Sequence, residues 1–133
     1  MFDGHGGSQA ASYAAERLHR NLAAAEDYTS GAEGLPQALH EAFATTDEEI
    51  LGLSGSHSGS CAVVACVAES TLVVANAGDC RAVLCTGRSH GAQRLSEDHE
   101  PQPEAIMLTG CLTRTRFFVV GPQTEPRRRK GAG

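Results

Sequence analysis

Residues 61–85, CAVVACVAESTLVVANAGDCRAVLC, decide the fold. Three apolar runs lie in this stretch: Cys61 to Ala68, Leu72 to Ala77 and, shorter, Ala82 to Cys85. Val and small residues dominate them, and the turn-like pairs Glu69-Ser70 and Gly78-Asp79 separate them. Continuous apolar runs of this length bounded by turn residues predict strands covered on both faces. Their short spacing predicts an antiparallel β-meander. Gly placed first in Gly78-Asp79 suits a type II′ hairpin turn.

Upstream the period changes from strand to helix. Residues 52–59, GLSGSHSG, form a Gly- and Ser-rich connector. Before it, Leu39, Ala42, Phe43, Thr46 and Ile50 line one face of a helix predicted from about Leu35 to Leu51, with Pro36 in its first turn. Residues 27–34 read as a loop. An earlier helix is predicted from Ser8, its N-cap, to about Ala25. Its apolar face is Ala11, Ala15, Leu18 and Leu22; Gln9, Glu16, Arg17 and Arg20 take the other side, with Glu16 and Arg20 as an i,i+4 pair. Downstream, residues 86–93 read as loop, Arg94 to Ser96 as a short strand and Phe117 to Val120 as one more strand. The last residues, with Arg127-Arg128-Arg129-Lys130, read as a disordered basic tail. The class is α+β: two helices, then a meander.

Composition narrows the function. The 133 residues suit one domain. The net charge of −5 argues against a nucleic-acid partner. No apolar run approaches the roughly 18 residues that span a membrane, and no secretory signal opens the chain. Five cysteines without a C-x-x-C pair read as free thiols in a reducing compartment, hence an intracellular, cytoplasmic or nuclear protein. Trp is absent and aromatics are 5% of the chain, so the core is built of small groups and modest stability is expected.

The chemistry concentrates in Asp3-Gly4-His5-Gly6-Gly7. Asp3 is a hard oxygen ligand of the kind Mg²⁺ and Mn²⁺ favour. Gly4 leaves its carbonyl free to reach the same ion, and His5 can supply a proton near neutral pH. Gly6 and Gly7 let a helix start close by, its N-terminus favouring anions. The plainer alternative is that D-G and G-G pairs mark turns. With no strand expected ahead of it, Asp3 reads as the start of a chain that begins in mid-domain.

These five residues resemble the signature of the metal-dependent Ser/Thr protein phosphatases of type 2C, and the downstream segments keep that family's order. Residues 38–43 with Thr46-Asp47-Glu48-Glu49 resemble its second helix. Ser58-Gly59-Ser60-Cys61-Ala62 resembles its Ser-Gly-Ser-Thr-Ala strand start, with Cys61 for Thr. Ala75-Asn76-Ala77-Gly78-Asp79-Cys80-Arg81 is similar to its Ala-Asn-x-Gly-Asp-Ser-Arg hairpin, with Cys80 for Ser. Leu95-Ser96-Glu97-Asp98-His99-Glu100-Pro101 resembles its Leu-Ser-x-Asp-His-Lys-Pro segment. The likeness runs over about residues 2 to 103; residues 104–133 read as a divergent segment and tail.

The resemblance implies a sandwich of two antiparallel sheets with helices outside, and two Mg²⁺ or Mn²⁺ ions at one end. It makes Asp3 the bridging ligand and the Gly4 carbonyl a second one, and has a metal-bridging hydroxide attack the phosphorus of a phosphoserine or phosphothreonine protein substrate. His5 would protonate the leaving oxygen. Asp79 matches an aspartate near an accessory metal position in some members, and a Gly-Asp turn explains it equally without metal. The family's upstream Arg and acidic ligand, and its later Asp-Gly and Asp-Asn segments, have no match here. Glu100, Glu104 and Glu125 stand in no matching motif. The expectation is therefore an incomplete α/β/β/α sandwich, catalytically impaired alone, poorly stable or in need of a partner to complete it. The rival is a non-catalytic pseudophosphatase fragment that acts by binding a partner or regulator.

Other constellations point less far. Cys61 and Cys66, like Cys80 and Cys85, are five apart, which on a strand puts the two members on opposite faces and excludes a shared zinc ion. His19 and His40 read as surface residues, His57 as a loop residue and His99 as part of an ordered turn.

Overall fold

The computed structural model describes residues 1–53, 57–85, 91–99 and 116–120. The order is β1 (Phe2–His5), α1 (Gln9–Ala24), a 3₁₀ turn (Glu26–Ser30), α2 (Gly31–Leu51), β2 (Gly59–Ala68), β3 (Thr71–Ala77), β4 (Val83–Cys85), β5 (Ala92–Arg94) and β6 (Arg116–Val120). The α+β class holds: both helices lie against a four-stranded antiparallel sheet ordered β1-β2-β3-β6, and β4 and β5 form a separate antiparallel pair.

The 61–77 reading stands as a hairpin. Ala68 pairs with Thr71 around Glu69-Ser70, and Glu69 takes φ 53°, the positive value a two-residue turn needs. The expected third meander strand does not. β4 pairs with β5, and the second neighbour of β3 is β6, with Leu72 opposite Val120. Gly78 has the expected positive φ, 90°, but it turns the chain out of the sheet instead of closing a hairpin. The reason is local: hydrogen bonds tie Gly78 and Ala82 to residues 95–99. Coverage on both faces is true of β3, where Val73 through Ala77 are all buried, but not of β2, whose Val67 is 76% exposed.

The helices cover one sheet face. Ala62, Val73, Ala75 and Ala77 from the sheet meet Ala10, Ala14, Leu18, Leu35, Leu39, Ala42, Phe43 and Ile50. The α2 face is as expected. The α1 face is Ala10, Ala14 and Leu18, one residue off the expected Ala11 and Ala15; Ala15 is exposed. A run of Ala on both sides of the helix leaves its phase undecided by hydropathy, and close approach to the sheet selects the set. The 27–34 loop is instead the 3₁₀ turn and the first turn of α2. Gly34 makes that possible, because a Cβ there would overlap the Asp27 carbonyl. Pro36 consequently lies a turn inside α2, where it withholds the amide that would reach back to Ala32. The expected Glu16–Arg20 pair is replaced by a bridge between helices: Arg17 Nη2 lies 2.8 Å from Glu49 Oε1, and Asn21 Nδ2 donates to both Glu49 and Thr46 at 3.0 Å. The short strand expected at 94–96 is β5, two residues earlier.

The basic tail, the boundary near residue 103 and Glu100, Glu104 and Glu125 lie outside the described residues. Among the described residues no helix is long and apolar enough to cross a membrane.

Candidate functional site

Asp3 is held by a strand that the sequence did not reveal. Its own segment is β1, paired antiparallel with β2 so that Phe2 faces Ala62, Asp3 faces Cys61, Gly4 faces Ser60 and His5 faces Gly59. The pairing is continued by the Met1 ammonium, which donates to the Val63 carbonyl at 2.8 Å. The strand was illegible because only Phe2 in it is a strand-forming residue.

The period of two then sorts the signature. Phe2 and Gly4 fall on the helix side and Asp3 and His5 on the other. Gly4 is where α1 comes closest: a Cβ there would lie 3.0 Å from Ala11 Cβ. Asp3 and His5 stand side by side and exposed. The His5 imidazole lies over Gly59, where a Cβ would be 2.8 Å from His5 Cε1. Gly6, at φ 66°, turns the chain from β1 into α1, tight against the His57 carbonyl.

Ser8 is the N-cap of α1, but its side chain makes no capping bond. Ser58 does that from the start of β2, its Oγ accepting the Ala10 N–H at 3.0 Å. The helix start, the strand β2 and the Asp3–His5 strand are thereby fastened together. Ser60, buried beside them, donates to the Cys61 carbonyl at 2.9 Å and approaches the Asp3 carbonyl at 3.3 Å.

Asp79 belongs to the same end of the sheet. Ala77 pairs with Ala62, so Gly78 comes level with Cys61, the partner of Asp3. A Cβ on Gly78 would lie 2.7 Å from Cys61 Cβ, which shows how closely the two strands approach there. Gly78 is thus two strand spacings from Asp3, roughly 10 Å; Asp3 and Asp79 are both exposed.

A cluster that sequence reasoning missed holds this turn. The Gly78 carbonyl accepts from Asn76 Nδ2 at 3.1 Å and from the His99 backbone N–H at 3.0 Å; the Gly78 N–H donates to His99 Nδ1 at 3.2 Å. Asn76 Nδ2 also donates to the Glu97 carbonyl at 3.0 Å. An Nδ1 that accepts carries no proton, which fixes the His99 tautomer. Next to it, the Ala82 N–H donates to Ser96 Oγ at 2.8 Å and the Leu95 N–H to the Ala82 carbonyl at 2.8 Å. Asp98 receives Arg81 at 2.6 Å and Arg94 at 2.5 Å. The Arg81 hydrogen bond, seconded by Arg94, holds the Asp98 carboxyl below the usual carboxylate range. The ordered turn expected at His99 is thus a clasp. Its signal in the sequence was the pairing of the blocks 75–81 and 95–99, whose polar residues satisfy each other.

For a divalent ion, the chemistry of the donor set fits in kind: two exposed carboxylates and a glycine carbonyl are hard oxygen donors at one end of a sheet. Among the described residues no three His, Cys, Asp or Glu side chains converge as a metal cluster, so Asp3, the Gly4 carbonyl and Asp79 would by themselves be an incomplete set of ligands. The cysteines are not that cluster. Cys61 shares the Asp3 side of β2, whereas Cys66 packs against the core on the helix side, where burial pushes its thiol up.

Comparison with known proteins bears on this arrangement. The chain is 44% identical over 104 residues to "Probable protein phosphatase 2C 30" of Arabidopsis thaliana, covering 76% of this chain and 26% of that protein. It is 44% identical over 112 residues to "Protein phosphatase 2C 56" of the same plant, covering 78% of this chain and 25% of that protein. It is 37% identical over 113 residues to "Integrin-linked kinase-associated serine/threonine phosphatase 2C" of Bos taurus, covering 76% and 30% respectively. The chain therefore spans about a quarter of the length of the curated relatives it matches. The family described as protein phosphatase 2C matches residues 1–105, a span that holds β1, both helices, the β2–β3 hairpin and the clasp. On that match the chain belongs to the protein phosphatase 2C family.

Proposed function

We propose that this chain carries part of the active site of a metal-dependent protein serine/threonine phosphatase, an enzyme that hydrolyses phosphoserine and phosphothreonine esters of intracellular proteins. The observation that carries the reading is β1, which sets Asp3 and His5 next to each other on one exposed face at the end of the sheet. Family membership supports a phosphoprotein substrate and a divalent metal.

In this reading Asp3 and the Gly4 carbonyl hold Mg²⁺ or Mn²⁺, and Asp79 is a further ligand. When bound, such ions lower the pKa of a coordinated water and neutralise phosphoryl charge. His5 gives its proton to the Ser or Thr oxygen that leaves. Its place on a paired strand, with the ring lying over Gly59, keeps the imidazole beside Asp3 without a further hydrogen-bond partner being required. Gly59 has to stay small for that.

The test is Mn²⁺-dependent phosphate release from a phosphothreonine peptide, with this chain and with Asp3→Asn. Release that disappears in the variant supports a working site. Release that survives it removes Asp3 from the chemistry. Absence of release from both, together with partner binding that is insensitive to Asp3→Asn, favours the non-catalytic interaction protein.

A further inference from the structure

We infer that this chain pairs with a second copy of itself through the open edge of β1, so that the two sheets run on as one and the two α1 helices pack across the seam. The inference does not depend on the metal reading of Asp3.

Three observations carry it. First, the backbone of β1 has a bare side. Met1 and Val63 exchange both of their hydrogen bonds, at 2.8 and 3.0 Å. Such pairs alternate along an antiparallel ladder, so Asp3 and His5 also turn their backbone groups to β2, while Phe2 and Gly4 aim theirs outward. Asp3, Gly4 and His5 are exposed, and a bare row of this kind is a template for another strand. When two β1 strands pair antiparallel about Asp3, Phe2 of each meets Gly4 of the other and all their outward groups are satisfied. No other antiparallel register of β1 on itself engages both residues.

Second, the helix over this edge keeps an apolar flank. α1 lies over β1 and β2 alike. Arg17 and Asn21 turn one of its sides to α2. The opposite side, toward the open edge, presents Ala11, Ala15 and Leu22 without a charged residue among them, and Ala15 is exposed. This is the stripe that the sequence offers and the core takes up only in part.

Third, the spacings agree. A helix midway over β1 and β2 is two strand spacings, about 9.5 Å, from its mate across the seam, within the 8–10 Å at which helices pack. Ala11 lies against Gly4, and α1 runs back along β1 from the reversal at Gly6 and Gly7. One residue of β1 rises about as far as two of a helix. The two-fold axis through Asp3 therefore passes α1 near residue 13 and sets Ala11 opposite Ala15 of the second copy. Small side chains suit so close an approach. The patch is about ten residues a side, against 20–30 in a standard interface, so the association is weak, in the micromolar range or above. On the other face Asp3 stands opposite Asp3 of the second copy, and like charges so placed oppose pairing.

Sedimentation equilibrium of the 133-residue chain over a concentration series, in metal-free buffer, tests this. It is repeated with Ala15→Glu, with Asp3→Asn and, as a control on the exposed side of α2, with Gln37→Glu; circular dichroism confirms that each is folded. Amide exchange is followed by NMR at low and high concentration. The expected result is a monomer–dimer equilibrium that Ala15→Glu weakens by about tenfold or more, through like charges brought together at the axis. Gln37→Glu should leave it unchanged, and Asp3→Asn should tighten it severalfold by removing the facing carboxylates. The Phe2 and Gly4 amides should exchange more slowly in the dimer. A chain that stays monomeric throughout the series overturns the proposal. So does a dimer indifferent to Ala15→Glu, or one weakened by Asp3→Asn. A dimer that leaves the Phe2 and Gly4 amides unprotected overturns it too, and moves the contact to another surface, such as that around the exposed Val67. Growth beyond the dimer counts against it equally, because a closed two-fold leaves no edge of β1 to extend.

Discussion

Single residues in this chain are constrained more by proximity than by side-chain chemistry. Gly78 is the clearest case. Its φ of 90° and a Cβ position only 2.7 Å from Cys61 Cβ leave no room for alanine. Gly78→Ala should destabilise the fold by about 2–4 kcal/mol, from backbone strain plus overlap, measured by urea unfolding. A Cys61→Ala background should recover part of that loss, because the overlapping atoms include the Cys61 sulfur. The sequence exposed the need for a glycine at this place but not its use. A positive φ suits a hairpin and a strand exit equally, and the choice between them is made by Asn76 and His99, which the local pattern does not connect. His5 and Asp3 were legible as chemistry from their residue types. Their strand was not, since Asp3-Gly4-His5-Gly6 has no period of its own and is extended only because Cys61 and Gly59 lie opposite.

At the level of elements, the start of α1 is secured from a distance. Ser58→Ala removes the oxygen that accepts the Ala10 N–H and should cost about 1 kcal/mol. Ser8→Ala, at the nominal cap with no capping bond, should cost clearly less; thermal melts of the two variants decide it. The seam between the helices carries a pH dependence. The hydrogen bond from Arg17, followed by that from Asn21, lowers the Glu49 pKa. A carboxyl depressed in the folded state contributes stability above its unfolded pKa, about 4.3 for Glu, and loses it as pH falls through the lower folded value. Glu49→Gln should therefore show a smaller drop in melting temperature between pH 6 and acid pH (about 3) than the wild type. The effect is small, because the bridge is partly exposed. Elements with a single apolar stripe, α2 above all, were legible residue by residue. α1 was misread by one position because Ala10, Ala11, Ala14 and Ala15 offer two equivalent stripes.

Across the whole molecule, the core is small-sided, and Phe43 is the one fully buried aromatic among the described residues. Phe43 is fully buried among Ala-rich helix and sheet surfaces. Phe43→Ala should cost about 3–5 kcal/mol, enough on a domain of ordinary marginal stability to leave a large unfolded fraction at 25 °C by circular dichroism. The α+β class was readable because its two signals, a 3.6 period and then apolar runs, occupy separate halves of the chain. Strand order was not readable: the pairing of β3 with β6 joins residues 72 and 120 across a long stretch with no periodic signal.

That order also governs time. The β2–β3 hairpin closes over two residues, Ala68 to Thr71, whereas β1 reaches its partner across both helices, Phe2 to Ala62. Loop-closure entropy makes the first contact early and the second late. Among the described residues the strand that bears Asp3 and His5 lies at the edge of the sheet; short and closed by the longest loop, it is expected to dock last and to come away first. Amide hydrogen exchange should find β1 protected more weakly than β2 and β3, with its opening slowed by whatever ligand spans Asp3 and the rest of the sheet. If an ion binds at Asp3 as proposed, its occupation should be coupled to the closure of β1, and it would act as a latch on that strand.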